Sequence, residues 1–261
     1  MEIDANIVIS IVKSAGKIIN YNARFNRHVE EKGFANYVTD LDKQIEEYVI
    51  SRISDLYPDS VFLSEETKNQ IACESFWVLD PIDGTTNLIH KYNSSCISLA
   101  YVENNMPVLS IVYCPNTQEM FYAEKGNGAF LRKDKKESRI SVNKISSIQG
   151  SLIGFGLPYD KTKIPLLFNL LLPISEKADD IKRRGPASLD ICYVACGRLS
   201  AYFELDLEPW DFAAGKLILE EAGGIICDFD GNSVSSEKTN VIASNKYVGE
   251  ELIKIFPKSL H

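Results

Sequence analysis

Two aspartates stand three apart in Trp77-Val78-Leu79-Asp80-Pro81-Ile82-Asp83-Gly84-Thr85-Thr86-Asn87, directly after an apolar run. Carboxylates are hard oxygen donors, and a pair of them at the end of a buried strand suits a divalent cation. Gly84 allows the backbone to approach a ligand closely, and the amides of Gly84, Thr85 and Thr86 can open a helical turn towards an anion. Cation ligands beside free amides suit a metal ion that bridges to a phosphate. A lone D-x-x-D-G is more often just an acidic turn containing a glycine, so the weight falls on what else the chain supplies.

The elements that must position these groups are legible in outline. Phe76–Leu79 reads as a buried strand, and Pro81, with fixed φ and no N–H, is expected to end it. Val61-Phe62-Leu63 is a short strand running into Ser64-Glu65-Glu66. Glu65 alone would be a solvated loop acid, but it lies before the Asp80 strand and at the matching end. Ahead of it, Ile7, Ile11, Ala15, Ile18 and Ile19 predict an amphipathic helix over 3–24. A polar stretch follows from Arg24 to Asn36, and a second helix begins around 37–42 and stops at Pro58.

Ile97–Tyr101, Val108–Cys114 and Glu119–Tyr122 form an antiparallel meander, Gly126–Phe130 is hairpin backbone, and Arg132–Lys136 is a solvated turn. The polar segment Lys144–Gly150 divides the chain into an α+β half, 1–147, and an α/β half, 148–261. In the second half, strands at Ser151–Phe155, Ala201–Leu205, Ile225–Cys227 and Val241–Ala243 alternate with helices at Ile164–Leu172, Leu189–Cys196, Phe212–Ala222 and Val248–Phe256.

Composition narrows the function. The chain has 261 residues, a net charge of -8 and six cysteines. Its acidity argues against a general nucleic-acid or membrane-surface binder. It also means that a phosphate could be held only with help from a bound cation. The cysteines sit mostly in apolar runs, as small buried hydrophobes of a reducing compartment rather than a disulfide framework. No apolar run reaches membrane-spanning length, and Met1-Glu2-Ile3-Asp4 carries no basic leader region, so the expected location is cytoplasmic.

Three other phosphatase chemistries are weighed, and only the second below stays as a weak alternative. Cys192-Tyr-Val-Ala-Cys-Gly-Arg198 has the C-x5-R spacing of a thiolate phosphate loop, but the segment is apolar at helical period with one glycine. Asp228-Phe-Asp230-Gly231 resembles the nucleophile loop of haloacid-dehalogenase-type phosphatases, yet only about thirty residues follow it, far fewer than such a domain needs. His28, His90 and His261 are scattered and form no metal-binding or nucleophilic pattern.

The stretch Trp77–Asn87 resembles the first signature of the inositol monophosphatase family, and Trp210-Asp211-Phe212-Ala213-Ala214-Gly215 with Glu221-Ala222-Gly223-Gly224 resembles the second. Lys32-Gly33, Val38-Thr39-x-x-Asp42, Glu65-Glu66 and Gly185-x-Ala187 fall in family order, so the resemblance covers almost the whole chain. It implies a layered αβαβα sandwich of the sugar phosphatase type, combining an α+β and an α/β half. It further implies two to three Mg²⁺ ions: one on Glu65, Asp80 and the Ile82 carbonyl, one on Asp80, Asp83 and Asp211, and a weaker one using Glu65 and water. The Gly84 and Thr85 amides would grip the phosphate, and Thr85 with Asp42 would position a metal-activated water for direct attack.

Glu204 and Ala187 would select the substrate, with Asp83 and Asp211 bordering it and Lys32 lending positive charge from a closing loop. Without the resemblance, Asp211 is simply a helix N-cap and Lys32 a surface lysine. Pro186 replaces the usual Ser or Thr, Asn36 the usual Asp, and Leu88 the usual aromatic, which loosens the substrate assignment.

The implied activity is Mg²⁺-dependent hydrolysis of a phosphomonoester, first of all inositol monophosphate, in a lithium-sensitive homodimer. Fructose-1,6-bisphosphate, 3'-nucleotides, NADP and histidinol phosphate are the family's other substrates. A regulatory member that binds RNA or transcription factors is the non-enzyme alternative, and the intact acidic set places it second.

Overall fold

Neighbouring residues of the central strands are buried in opposite directions. Phe76 and Val78 join one apolar cluster, while Trp77 and Leu79 join another on the far side of the same sheet. A strand covered on both faces reads as an unbroken apolar run, as these do. In the second half, Tyr202 and Phe203 divide in the same way.

The computed structural model describes residues 3–22, 29–33, 36–67, 69 and 71–256. Its first half contains α1 (Ala5–Asn22), β1 (Val29–Gly33), β2 (Asn36–Thr39), α2 (Asp40–Leu56), β3 (Phe62–Ser64), β4 (Ser75–Asp83), α3 (Thr85–Ile89) and β5 (Cys96–Glu103). The meander continues through β6 (Met106–Cys114), β7 (Glu119–Glu124), β8 (Gly128–Lys133) and β9 (Lys136–Arg139). Then follow β10 (Leu152–Phe155), α4 (Ile164–Ser175), β11 (Asp180–Lys182), α5 (Ala187–Ala195) and β12 (Ala201–Leu207). The chain closes with α6 (Pro209–Glu221), β13 (Ile225–Cys227), β14 (Thr239–Ser244) and α7 (Lys246–Ile255).

Strands β3 to β9 form a seven-stranded sheet in chain order, and the second sheet has the order β11-β10-β12-β14-β13. Helices α1 and α2 cover the outer face of the first sheet, through Val8, Val12, Ala15, Ile45 and Val49. Between the sheets lie α5 and α6, and α4 and α7 cover the outer face of the second through Leu167, Leu170, Val248 and Leu252. The result is the five-layered αβαβα sandwich. The two inner helices approach closely because Gly215 has no side chain: a Cβ there would lie 2.8 Å from Ile191 Cγ2.

Three expectations change. The polar stretch before the second helix contains the antiparallel pair β1–β2, whose pattern is too polar to announce strands. The strand that was to end before Pro81 runs on to Asp83. The helix expected from Phe212 begins at Pro209, because a proline at the first helical position loses no bond. The cysteines are all free, with four buried and Cys73 exposed.

Phe203 has no exposed surface and packs against Phe155, Phe229 and Phe256, with a ring separation of 5.0 Å to the last. Phe203→Ala should therefore lower the unfolding free energy by about 3–5 kcal/mol in urea titrations. Phe168→Ala, at an exposed position of α4, should change it by less than about 0.5 kcal/mol. Equal effects would contradict the assignment of the second outer core.

Candidate active site

In an ordinary strand, residues three apart point to opposite faces, so Asp80 and Asp83 could not meet. Strand β4 avoids this with a bulge. Asp80 pairs with Ser98 and Asp83 with Cys96, so three steps on β4 match two on β5. The extra residue re-aims the side chains and accommodates Pro81, which has no N–H to give the ladder. Strand β3 runs parallel to β4 with Ser64 beside Leu79, so Glu65 emerges at the same end.

Asp211 arrives from α6. It is not the N-cap: Glu208 holds that place, and Asp211 is the third helical residue, accepting from the Glu208 amide at 2.8 Å. The start of α6 is tied down by Ser98 Oγ donating to the Trp210 carbonyl and Ser188 Oγ donating to the Asp211 carbonyl at 2.8 Å. Asp80, Asp83 and Asp211 thus each present an oxygen within 4.8 Å of the others. Glu65 stands outside this tight triad but lines the same cavity, with Ile82 and Thr85.

Other bonds fix the remaining expected residues. The Asp83 carboxylate accepts from the Ser188 amide at 2.8 Å, at the start of α5, and the Ala187 amide also faces it. Ala187, expected to touch substrate through its backbone, therefore also serves Asp83. Thr85 Oγ1 lies 2.8 Å from Asp42 Oδ1 and 3.0 Å from the Ile82 carbonyl. Asp42 is itself held by the Thr39 amide and hydroxyl in the capping box of α2. Gly84 has φ +90°, a left-handed conformation natural to glycine, and it delivers the chain into α3.

Glu204 sits in the middle of β12 rather than at a strand end, just before a register shift against β14. Its carboxylate takes a hydrogen bond from Tyr202 Oη and lies across Gly156, where a Cβ would come within 2.0 Å. Glu204 lines a 250 Å³ cavity with Asp83, Gly84, Thr85 and Asp211. Tyr159, Lys161 and Arg183 line it too, although the sequence had offered no motif for them. Lys32 lies in β1, with its side chain outside the described residues, as are His28 and His261.

The two other phosphatase motifs lie apart from this cluster. Cys192 is buried in α5, and burial pushes its thiol up, away from a reactive thiolate. Asp228 accepts from the Asp230 and Asn232 amides and closes its own loop.

Burial, followed by repulsion from Glu65, Asp83 and Asp211, holds the Asp80 carboxyl well above the usual range. Burial and then Asp83 and Glu65 do the same to Asp211, while Asp83 is raised to about 6, mainly by burial. Such a cluster of all-oxygen donors is stabilised by a hard divalent cation, which would offset both desolvation and mutual repulsion. The donor set fits Mg²⁺.

The sequence profile described as the inositol monophosphatase family matches residues 2–261. The chain belongs to that family. It is 38% identical over 258 residues to the Nus factor SuhB of Haemophilus influenzae, covering 97% of this chain and 95% of that protein. It is 34% identical over 256 residues to the inositol monophosphatase of Dictyostelium discoideum, covering 95% and 92%. The solved Thermotoga maritima IMPase superposes with a TM-score of 0.87 at 31% identity, covering 96% of this chain and 95% of that one. Inositol monophosphatase family membership and the acidic triad agree on a metal-dependent phosphatase fold.

An acid whose pKa is higher folded than unfolded favours the fold while protonated. Its contribution is full below the unfolded value and is lost as pH rises through the folded one, here about 6 for Asp83. Binding a cation must displace those protons, so Mg²⁺ should raise Tm more at pH 8 than at pH 5. Scanning calorimetry with and without Mg²⁺ checks this, and Asp211→Asn should greatly reduce the increment. An increment independent of pH would show that Mg²⁺ binds elsewhere.

Proposed function

We propose that the protein is a Mg²⁺-dependent phosphomonoester hydrolase acting on small phosphorylated polyols, with inositol monophosphate as the reference substrate. The supporting observation is the convergence of the Asp80–Asp83–Asp211 triad, the Thr85–Asp42 pair and the chain turn at Gly84 on one cavity. Glu65, Asp80 and the Ile82 carbonyl would hold one ion, and Asp80, Asp83 and Asp211 a second, with a third on Glu65. Bound Mg²⁺ would supply positive charge for the phosphoryl oxygens and make water available as a nucleophile near neutral pH.

The chain's own groups do the rest. The Gly84 and Thr85 amides face the phosphate at the start of α3. Thr85, its hydroxyl proton directed to Asp42, offers lone pairs to the attacking water and orients it. Asp42 accepts the proton through that hydroxyl, the ester P–O bond breaks as the new one forms, and solvent returns a proton to the leaving alcohol oxygen. No covalent intermediate is required. The first half, 1–147, carries the metal and water chemistry, whereas 148–261 supplies Asp211 and the substrate-selecting wall with Glu204. Free cysteines suit action in a reducing cytoplasm, and the family resemblance suits a lithium-sensitive homodimer.

A second reading comes from the Nus factor name of the Haemophilus relative: binding of factors without catalysis. Asp83→Asn separates the two. If complementation of a SuhB-deficient bacterium survives when hydrolysis is lost, the factor role is the physiological one.

Thr85→Ala should lower kcat with little change in KM for inositol monophosphate, because the water loses its alignment. A change confined to KM would make Thr85 a phosphate-binding residue only. Glu204→Ala should reduce kcat/KM for inositol monophosphate by about ten- to a hundred-fold, the worth of hydrogen bonds to its ring hydroxyls. An ester without ring hydroxyls should be far less affected, and equal losses would make Glu204 structural.

A further inference from the structure

A cavity of 400 Å³ lies on the outer face of the first sheet, against α1, and shares no lining residue with the cleft described above. Its apolar part is Ile9 of α1, Tyr113 of β6 and Met120 of β7, all buried. Its cations are Lys13 of α1 and Arg132, Lys133 and Lys135, from the basic run that the sequence marks as a solvated turn. Asp134 and Lys135 have positive φ, 48° and 66°, so the β8–β9 hairpin turns in two residues and brings Lys135 to the cavity. The acids nearby do not cancel this charge. Arg132 pairs with Glu137 at 2.6 Å, but Lys133 shares the single charge of Glu119 with Arg198, and Lys13 and Lys135 make no ion pair among the described residues. Asp134 is the one carboxylate among the lining residues, so an excess of positive charge remains, in a chain of net charge -8.

Tyr113 is a second, independent sign of a ligand. Only 6% of its surface is exposed, and Gly16 makes room for its ring against α1, where a Cβ would overlap it. Its hydroxyl makes no hydrogen bond among the described residues. A buried hydroxyl without a protein partner, on a residue that lines a cavity, is open to an acceptor on a ligand. The cavity is also within the size range of small-molecule sites. We propose that it is a second ligand site, for a small molecule that joins a phosphate to a flat apolar ring. The ring would rest on Ile9 and Met120, whose thioether suits an aromatic face, and the phosphate on Lys13, Lys133 and Lys135. This site does not depend on the hydrolase reading.

The probe is phenylphosphonate, whose carbon–phosphorus bond is not an ester to be hydrolysed. In calorimetric titrations of the full chain with Mg²⁺, wild-type protein should bind two molecules, one in the carboxylate cleft and one here, and EDTA should leave only the second. The double variant Lys13→Gln/Lys135→Gln, at two exposed positions, should weaken this metal-independent binding by at least about tenfold, the scale of one charge-assisted contact. Lys17→Gln, which removes an exposed lysine of α1 outside the cavity, should leave it unchanged. Methylphosphonate, which lacks the ring, should bind at least about tenfold more weakly than phenylphosphonate. Absence of binding in EDTA, equal weakening by Lys17→Gln, unchanged binding in the double variant, or equal affinity for the two phosphonates overturns the site. If Mg²⁺ adds no second molecule, the hydrolase reading loses its support, and the metal-independent binding with its loss in the double variant still decides this one.

Discussion

The structure depends on the repulsion among carboxylates gathered at the end of β4. Asp80 and Asp83 are buried, and Asp211 reaches them from α6, in the layer between the two sheets. No lysine or arginine is paired with this triad among the described residues. Burying like charges without a partner is costly, and it pushes the pKa of each carboxyl up, that of Asp83 to about 6. The fold tolerates that cost because the surrounding bonds are specific. The start of α5 offers amides to Asp83, Glu208 offers its amide to Asp211, and the Ile82 amide lies 3.0 Å from Asp80 Oδ1.

The layers can be understood from this demand. The triad needs side chains from a bulged strand and from a helix trapped between two sheets, and α6 is that helix. Its packing is dense on every side, so Asp211 has little freedom to retreat from the other acids. On the opposite side of the first sheet, α2 contributes through its first turn. Asp42 serves its own helix as part of a capping box and serves the site by receiving Thr85. Glu46, one turn further along, accepts from Ser64 Oγ, Thr67 Oγ1 and the Glu66 amide, which anchors the turn that carries Glu65. One helix therefore braces two parts of the site with two buried acids.

Much of this was legible because apolar periodicity and signature spacing are local. The strands around Trp77 and Tyr202 and the order of the helices could be read directly, and the order of the motifs pointed to the layered sandwich. What escaped was set by pairing at long range. Pro81 looked like a terminator because a one-residue bulge is visible only in the register with β5. Asp211 looked like an N-cap because Glu208, a weaker capping residue by type, takes that place. The hairpin of β1 and β2 has no alternating apolar pattern to reveal it. Lys161 and Arg183 belong to no motif; only the fold brings them to one cavity.

An acidic protein that binds anions must arrange its charge in space, because its total works against it. Here the arrangement is layered within one cleft. The carboxylates lie deepest, where a small hard cation can be enclosed by oxygens. The amides at Gly84 and Thr85 come next, offering partial positive charge without a counter-ion. Formal cations on Lys161 and Arg183 line the cleft too, and among the described residues they form no ion pair with the triad. Had these cations been placed among the carboxylates, they would have neutralised them directly and removed the reason for a metal to bind. Two glycines keep the arrangement open. Gly84 turns the chain into α3, and Gly156 leaves the space that the Glu204 carboxylate occupies. On the proposed reading, Glu204 and the carboxylate triad share this cleft but do different work, one towards the alcohol and the other towards the phosphate.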